Sequence, residues 1–194
     1  MGIEFELKYK ATPRQLQQLR EDLNGEEKVF EMRTAYYDTP TGQLSQRHYT
    51  LRRRMENELS VCTFKMPTEG IGRREWETEC ERIEDGIEKL CKLGAPEELL
   101  KLTAEGLVNI CGARFIRIAK TVVLGESVVE IALDEGVLTG GDRQMLLCEM
   151  EVELKAGEQS ACVAFAKMLA EKYGFVPEGK SKFRRALDLY RGEA

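Results

Sequence analysis

The residues best suited to chemistry lie in short alternating runs. In an extended strand, residues two apart point to the same face. Glu4, Glu6 and Lys8 therefore share one face, and Ile3, Phe5 and Leu7 the other. The pattern returns where Glu149, Glu151, Glu153 and Lys155 lie opposite Met150, Val152 and Leu154. Basic runs follow the same rule: Arg52 and Arg54 share a face, while Arg73, Glu75, Glu77 and Glu79 lie opposite Trp76. Any one such strand describes an ordinary sheet with a solvated polar face. Across several strands, however, the alternate positions are nearly all carboxylate or guanidinium, where a solvated face mixes Ser, Thr, Gln and Lys. If the strands curl into a barrel, that face becomes an interior holding charges of both signs, which is costly unless they bind something. Hard divalent cations take carboxylate oxygens, and Arg and Lys take phosphate oxygens. A polyphosphate with Mg²⁺ or Mn²⁺ satisfies both sets.

The elements that must position these groups are mostly strands. Period-two patterning predicts strands over 3–9, 29–37, 49–55, 59–66, 72–80, 115–124, 128–133 and 146–155. Short turns at 56–57 and 125–126 imply antiparallel hairpins. Helices are expected over 13–23, 85–93, 96–108, 158–173 and 182–190. Thr12 and Pro13 open the first, Gly174 closes the fourth, and Ser181 caps the last. The fold class is α+β, β-rich with helices packed outside. With no linker or shift in composition, residues 1–194 read as one domain.

Composition excludes several classes. No stretch approaches the ~18 apolar residues a membrane span needs. MGIEFELK lacks the layout of a secretory signal, so a cytoplasmic location is expected. A net charge of −5 argues against a broad nucleic-acid surface. Cysteines 62, 80, 91, 111, 148 and 162 include no C-x-x-C pair, and His48 is the only histidine. They read as scattered buried thiols, neither a zinc site nor a disulfide framework. His48 reads as a surface or turn residue, Trp76 as outer packing, and Tyr36 and Tyr37 as packing beside a strand end. Residues 174–181 fit G-x-x-x-x-G-K-[ST], but a helix precedes them where a phosphate loop needs a strand.

EFELK resembles the E-x-E-x-K signature of the CYTH domain, the triphosphate tunnel metalloenzyme family. The resemblance continues in order through YYDT at 36–39, LRRR at 51–54, TFK at 63–65, RREWE at 73–77, ALDEG at 132–136, EMEVELK at 149–155 and SKF at 181–183. It implies an eight-stranded antiparallel barrel forming a tunnel, with basic residues gripping a triphosphate and acids holding Mg²⁺ or Mn²⁺. Glu4, Glu6 and Lys8 would be catalytic. Lys8, Arg52, Arg54, Lys65, Arg73, Arg117 and Lys182 would bind substrate. Glu4, Glu6, Glu75, Glu77, Asp134, Glu149, Glu151 and Glu153 would hold metal. Arg114 and Lys120 stand as alternatives to Arg117, and Lys180 to Lys182. The implied activity is a metal-dependent triphosphatase splitting tripolyphosphate into pyrophosphate and phosphate. Alternatives are a thiamine or nucleoside triphosphatase, a class IV-type adenylate cyclase and a non-catalytic polyphosphate-binding module. The expected partner is a triphosphate-containing small molecule, and the oligomeric state is not legible.

Overall fold

The computed structural model describes residues 2–68 and 73–193, and for residues 2–4 the backbone alone. The strands are β1 (Gly2–Glu4), β2 (Glu6–Lys10), β3 (Lys28–Asp38), β4 (Thr50–Glu56), β5 (Leu59–Pro67), β6 (Arg73–Glu79), β7 (Val108–Leu124), β8 (Ser127–Gly140), β9 (Arg143–Ala156) and β10 (Val176–Pro177). The expected start of the sixth strand, Gly72, lies outside the described residues. All ladders are antiparallel, in the order β1-β6-β5-β4-β3-β7-β8-β9-β2-β10. The two sides of this order are one piece of chain. β1 pairs with β6, β2 pairs with β9, and Phe5 alone separates them. The sheet thus curls into a barrel whose seam is the N-terminal segment. With β1 and β2 counted as one wall and the short β10 set aside, the ring has eight walls.

Two-residue turns set the register of the long hairpins. Asn57-Glu58, Gly125-Glu126 and Gly141-Asp142 each begin at positive φ, 54°, 62° and 56°, which the twist of a tight hairpin demands. The first lies one residue beyond its expected place. The helices are α1 (Pro13–Asp22), α2 (Gln43–Gln46), α3 (Ile83–Lys92), α4 (Glu98–Thr103), α5 (Gln159–Tyr173) and α6 (Lys182–Arg191). Thr12 and Gln15 form a capping box on α1, and Gly174 closes α5 at φ 73°. The helix expected over 96–108 ends early, because Gly106 turns the chain at φ 103° and Val108 onward joins β3 as the start of β7.

Apolar packing forms three clusters. Leu16, Leu19, Cys162, Ala166 and Leu169 of α1 and α5 cover the outer faces of β2, β8 and β9 at Tyr9, Ile131, Met150 and Val152. Ile87, Leu90 and Leu99 of α3 and α4 cover Leu51, Phe64 and Trp76. Trp76, stacked on Phe64 at 5.9 Å, packs on the outer barrel face as expected. In the third, Ala186, Leu187 and Leu189 of α6 meet Met32, Tyr36, Ala113, Phe115, Leu138 and Leu147. Those residues share strand parity with Arg117, Asp134 and Glu149, so they face inward. Helix α6 therefore enters the barrel, consistent with Arg185 through Leu189 all being buried. The other helix clusters lie outside; this interior helix was not foreseen.

Two of the six cysteines are not the free thiols that their spacing suggested. Cys62 and Cys80 are joined in a disulfide, with Cα atoms 5.9 Å apart. Their closeness depends on the β5–β6 register, which no spacing in the sequence encodes. A Cβ at Gly86 would lie 2.6 Å from Cys62 Sγ, so a glycine lets α3 seat against this pair. Cys91, Cys111, Cys148 and Cys162 remain free thiols.

Candidate active site

The barrel interior is divided along its axis. One end is apolar and filled by α6; the other is a cavity of about 140 Å³ lined by charge. Among the described residues, seven cationic side chains line it: Lys8, Arg52, Arg54, Lys65, Arg73, Arg117 and Lys182. Three carboxylates join them: Glu6, Glu151 and Glu153. The described part of the lining therefore carries a surplus of four positive charges. A larger concavity of about 1110 Å³ lies on the outer face of β3, β4 and β7 and includes none of these groups.

Strand order sets where the signs fall. Around the ring, β4 lies four walls from β9 in either direction. Arg52 and Arg54 of β4 thus stand across the barrel from Glu149, Glu151 and Glu153. Register aligns the acidic side: Glu6 is opposite Glu153, Lys8 opposite Glu151, and Asp134 opposite both Glu149 and Arg117. Lys8 donates to Glu6 at 2.9 Å, and Lys155 donates to Glu153 at 2.7 Å.

At the cavity floor, with Glu151 in the lining, lies a compact acidic triad. Asp134, Glu149 and Glu151 each present an oxygen within 4.8 Å of the others, and the first two are fully buried. Three cations hold it together. Lys182 Nζ lies 2.7 Å from Asp134 Oδ2 and 2.7 Å from Glu151 Oε1, and also touches Glu149 Oε1. Arg117 grips Asp134 with two bonds of 2.8 and 2.7 Å and reaches Glu151 Oε2 at 2.5 Å. Arg185 pairs with Glu149 from below. Burial alone would raise the Glu151 pKa, but Lys182 and Arg117 outweigh it and hold the carboxyl well below its ordinary range. Glu149 is shifted upward, by burial and by repulsion from Glu151, against the pull of Lys182. The Lys182 and Arg117 pKa values rise despite burial, because each faces Asp134 and Glu151.

Hard carboxylate oxygens this close together suit Mg²⁺ or Mn²⁺. The donor set fits such an ion once the Lys182 ammonium gives up its contacts. Glu6 and Glu153, directly opposite each other and partly exposed, offer further oxygens at the cavity wall.

The remaining expected site residues divide as follows. Glu4 pairs through its backbone with Arg73, and its side chain lies outside the described part. Glu75 sits on the interior face beside Lys65 at 3.2 Å and Arg52 at 3.8 Å. Glu77 accepts from Thr63 Oγ1 at 3.1 Å. Both stand apart from the triad, toward the basic wall. Arg114 is exposed on the outer face, and Lys120 caps the carboxyl end of α1 by donating to the Arg20 and Leu23 carbonyls. Arg117 is thus the cavity residue of that strand. Lys180 pairs with Asp188, which leaves Lys182 as the cavity lysine of α6. His48 is a turn residue at φ 58°, and its carbonyl accepts from Arg73.

Several lining residues were missed. Thr34 and Tyr36 share a face of β3, and Thr50 precedes Arg52 on β4, so strand parity could have found them. Tyr36 faces the interior and packs on Phe183 at 5.1 Å, not beside a strand end. Phe115, two residues before Arg117, has Lys182 over its ring at 5.2 Å and Arg117 at 5.7 Å. Arg185 follows Lys182 by three residues, the spacing that brings two side chains to one helix face.

A family model for the CYTH domain matches residues 2–187. Among solved structures, the chain resembles HpAC1 from Hippeastrum, regarded as an adenylyl cyclase and described as revealing a dominant triphosphatase activity. Identity there is 21%, the TM-score is 0.67, and the match covers 98% of this chain and 97% of that one. It also resembles PH1819 from Pyrococcus horikoshii OT3, at 23% identity and TM-score 0.66, over 95% of this chain and 98% of the other. A Bacillus halodurans protein named as a candidate adenylate cyclase matches at 16% identity and TM-score 0.61, over 94% and 96%. At these identities the likeness concerns the fold.

Proposed function

The chain belongs to the CYTH domain family, and from that premise we propose that it is a divalent-metal-dependent triphosphatase whose substrate is inorganic tripolyphosphate. The observation that carries this reading is the cavity lining, in which the described residues set seven cations against three carboxylates in about 140 Å³. Such a surplus inside a low-dielectric wall calls for a compact polyanion. The aromatic rings there are already engaged. Tyr36 packs on Phe183, and Phe115 lies under Lys182 and Arg117. Tyr36, Phe183 and Phe115 thus already have ring or cation partners within the barrel, which favours the inorganic chain over ATP or thiamine triphosphate.

In this mechanism Arg52, Arg54, Lys65 and Arg73 hold phosphate oxygens along the basic wall, Arg by forked donors and Lys as a point charge. Arg54 Nε is buried with no hydrogen-bond partner among the described residues, a donor that a phosphate oxygen would satisfy. Asp134, Glu149 and Glu151, with Glu6 and Glu153 at the wall, would hold the metal. When bound, the metal neutralises charge on the transferred phosphoryl group and orients water. Water attacks a terminal phosphorus, the bridging P–O bond breaks, and pyrophosphate leaves with the electron pair. Glu6, oriented by Lys8, takes the proton released from the water. Lys8 and Arg117 stabilise the charge that develops on the leaving oxygens.

The test is a substrate panel. Pure protein with Mg²⁺ or Mn²⁺ is given tripolyphosphate, ATP and thiamine triphosphate, and phosphate, pyrophosphate and cyclic AMP are assayed. Fastest release from tripolyphosphate, lost in Glu151→Gln, is the expected result. Cyclic AMP from ATP as the main product would overturn the hydrolase reading, and full metal-dependent turnover in Glu151→Gln would remove the metal site.

A further inference from the structure

We propose that Lys182 is the resident counter-ion of the Asp134–Glu149–Glu151 triad and competes directly with the divalent ion for it, so that metal and triphosphate bind cooperatively through one ammonium. The inference rests on the metal-dependent reading above and adds a competitor to it. Lys182 Nζ touches an oxygen of all three acids, at 2.7 Å from Asp134 and from Glu151. Those acids present ligand oxygens within 4.8 Å of one another. A hard divalent ion bound by them would sit at about 2.0–2.6 Å from the same oxygens. An ammonium and a divalent ion cannot share that space, on steric grounds and because like charges so close repel strongly. Metal entry therefore requires Lys182 to leave.

Its destination gives the coupling. Lys182 is the first residue of α6, anchored by the Ser181 cap, and its side chain lines the cavity. Released from the acids, the ammonium faces Arg52, Arg54 and Arg117 in a lining that already carries excess positive charge. With no anion present, that relocation is unfavourable, and metal binding is weak. With a triphosphate in the cavity, the freed ammonium gains phosphate oxygens as the metal gains the carboxylates. Each ligand then favours the other by the same factor, as linkage requires. Lys182 acts here as the metal's competitor and as its link to the anion, in addition to its place in the substrate grip.

The experiment is Mn²⁺ binding followed by electron paramagnetic resonance and calorimetry. Wild-type protein and Lys182→Met are titrated with and without a non-hydrolysable imido analogue of tripolyphosphate. The expected results are a wild-type affinity enhanced by the analogue, and a Lys182→Met affinity for Mn²⁺ alone that is tighter than wild type by roughly 5- to 150-fold, the usual range of site coupling. The enhancement by the analogue should be smaller in the variant. Equal or weaker Mn²⁺ binding by a folded Lys182→Met overturns the competition and leaves the metal site standing. Absence of Mn²⁺ binding in both proteins, with and without the analogue, overturns the metal reading and the inference with it. A measurement on wild type guards against a variant that does not fold. The ¹⁵N resonance of the Lys182 ammonium should shift on saturation with Mg²⁺ plus analogue; an unmoved resonance overturns the exchange.

Discussion

Replacing Arg117 with Met should destabilise the ligand-free protein severely, and the size follows from the geometry. Asp134 is fully buried, and Arg117 gives it two hydrogen bonds of 2.8 and 2.7 Å and reaches Glu151 at 2.5 Å. Met fills much of the same volume but donates nothing, so three acids are left with Lys182 and Arg185. Breaking a buried pair by removing one partner costs about 3–5 kcal/mol. A domain has about 5–15 kcal/mol in all, so this is a large share. At roughly 2–4 °C per kcal/mol for a chain of this size, the melting temperature should fall by about 6–20 °C. Urea denaturation without divalent ions measures it, with Arg33→Met as control, whose exposed pair with Glu31 is worth about 0–1 kcal/mol. Arg117→Met combined with Asp134→Leu should recover part of the loss by removing the orphaned acid. A loss below about 1 kcal/mol in Arg117→Met, with no recovery in the double variant, would refute the claim that this pair is desolvated and mutually required.

Three further outcomes follow from the packing. A Cβ at Gly140 would lie 2.4 Å from Tyr190 N and 2.5 Å from Ala186 O, both backbone atoms of α6. Gly140→Ala should therefore cost about 1–3 kcal/mol by overpacking and lower tripolyphosphate turnover by displacing the helix that carries Lys182; thermal melts and phosphate release check it. Asp38 accepts from the backbone of Thr39, Leu44 and Ser45 at 2.7, 2.8 and 3.1 Å. Asp38→Ala should cost at least about 1–3 kcal/mol by leaving buried donors unmet, read by urea denaturation. The Glu151 carboxyl has a folded-state pKa below its ordinary 4.5, so the unfolded chain takes up that proton first. Its contribution is complete above pH 4.5 and is lost as pH falls toward the folded value. Denaturation from pH 7 to pH 3 should show the decline, and Glu151→Gln should flatten it.

Much of the barrel was readable because its interior is charged. Period two stands out where Glu, Arg and Lys alternate with Leu, Val and Met, as in β2, β4, β6 and β9. The start of β7 was not readable, since residues 107–113, LVNICGA, are nearly all apolar without clear alternation and suit a helix as well as a strand. Lys182 was marked by resemblance, yet nothing local shows that its helix enters the barrel. That placement depends on Gly140 admitting α6 and on an apolar interior end built from four strands. The Cys62–Cys80 bond and the grip of Arg117 on Asp134 are likewise products of register, which is fixed only when all neighbouring strands are paired.

The seam at Phe5 has a bearing on how the chain reaches this state. β1 pairs with β6, made soon after it, but Glu6 pairs with Glu153, so the seam closes only after most of the chain exists. On the ribosome, β3 to β8 can pair in succession while β2 waits for β9. Contacts this distant in sequence slow the final step of folding. Until it occurs, the flanks of β6 and β9 present unpaired backbone, the kind of strand flank on which aggregation begins. Yield in cells should thus depend on how soon the N-terminal segment docks, and a bulky fusion placed just ahead of Gly2 burdens the one segment that both flanks need.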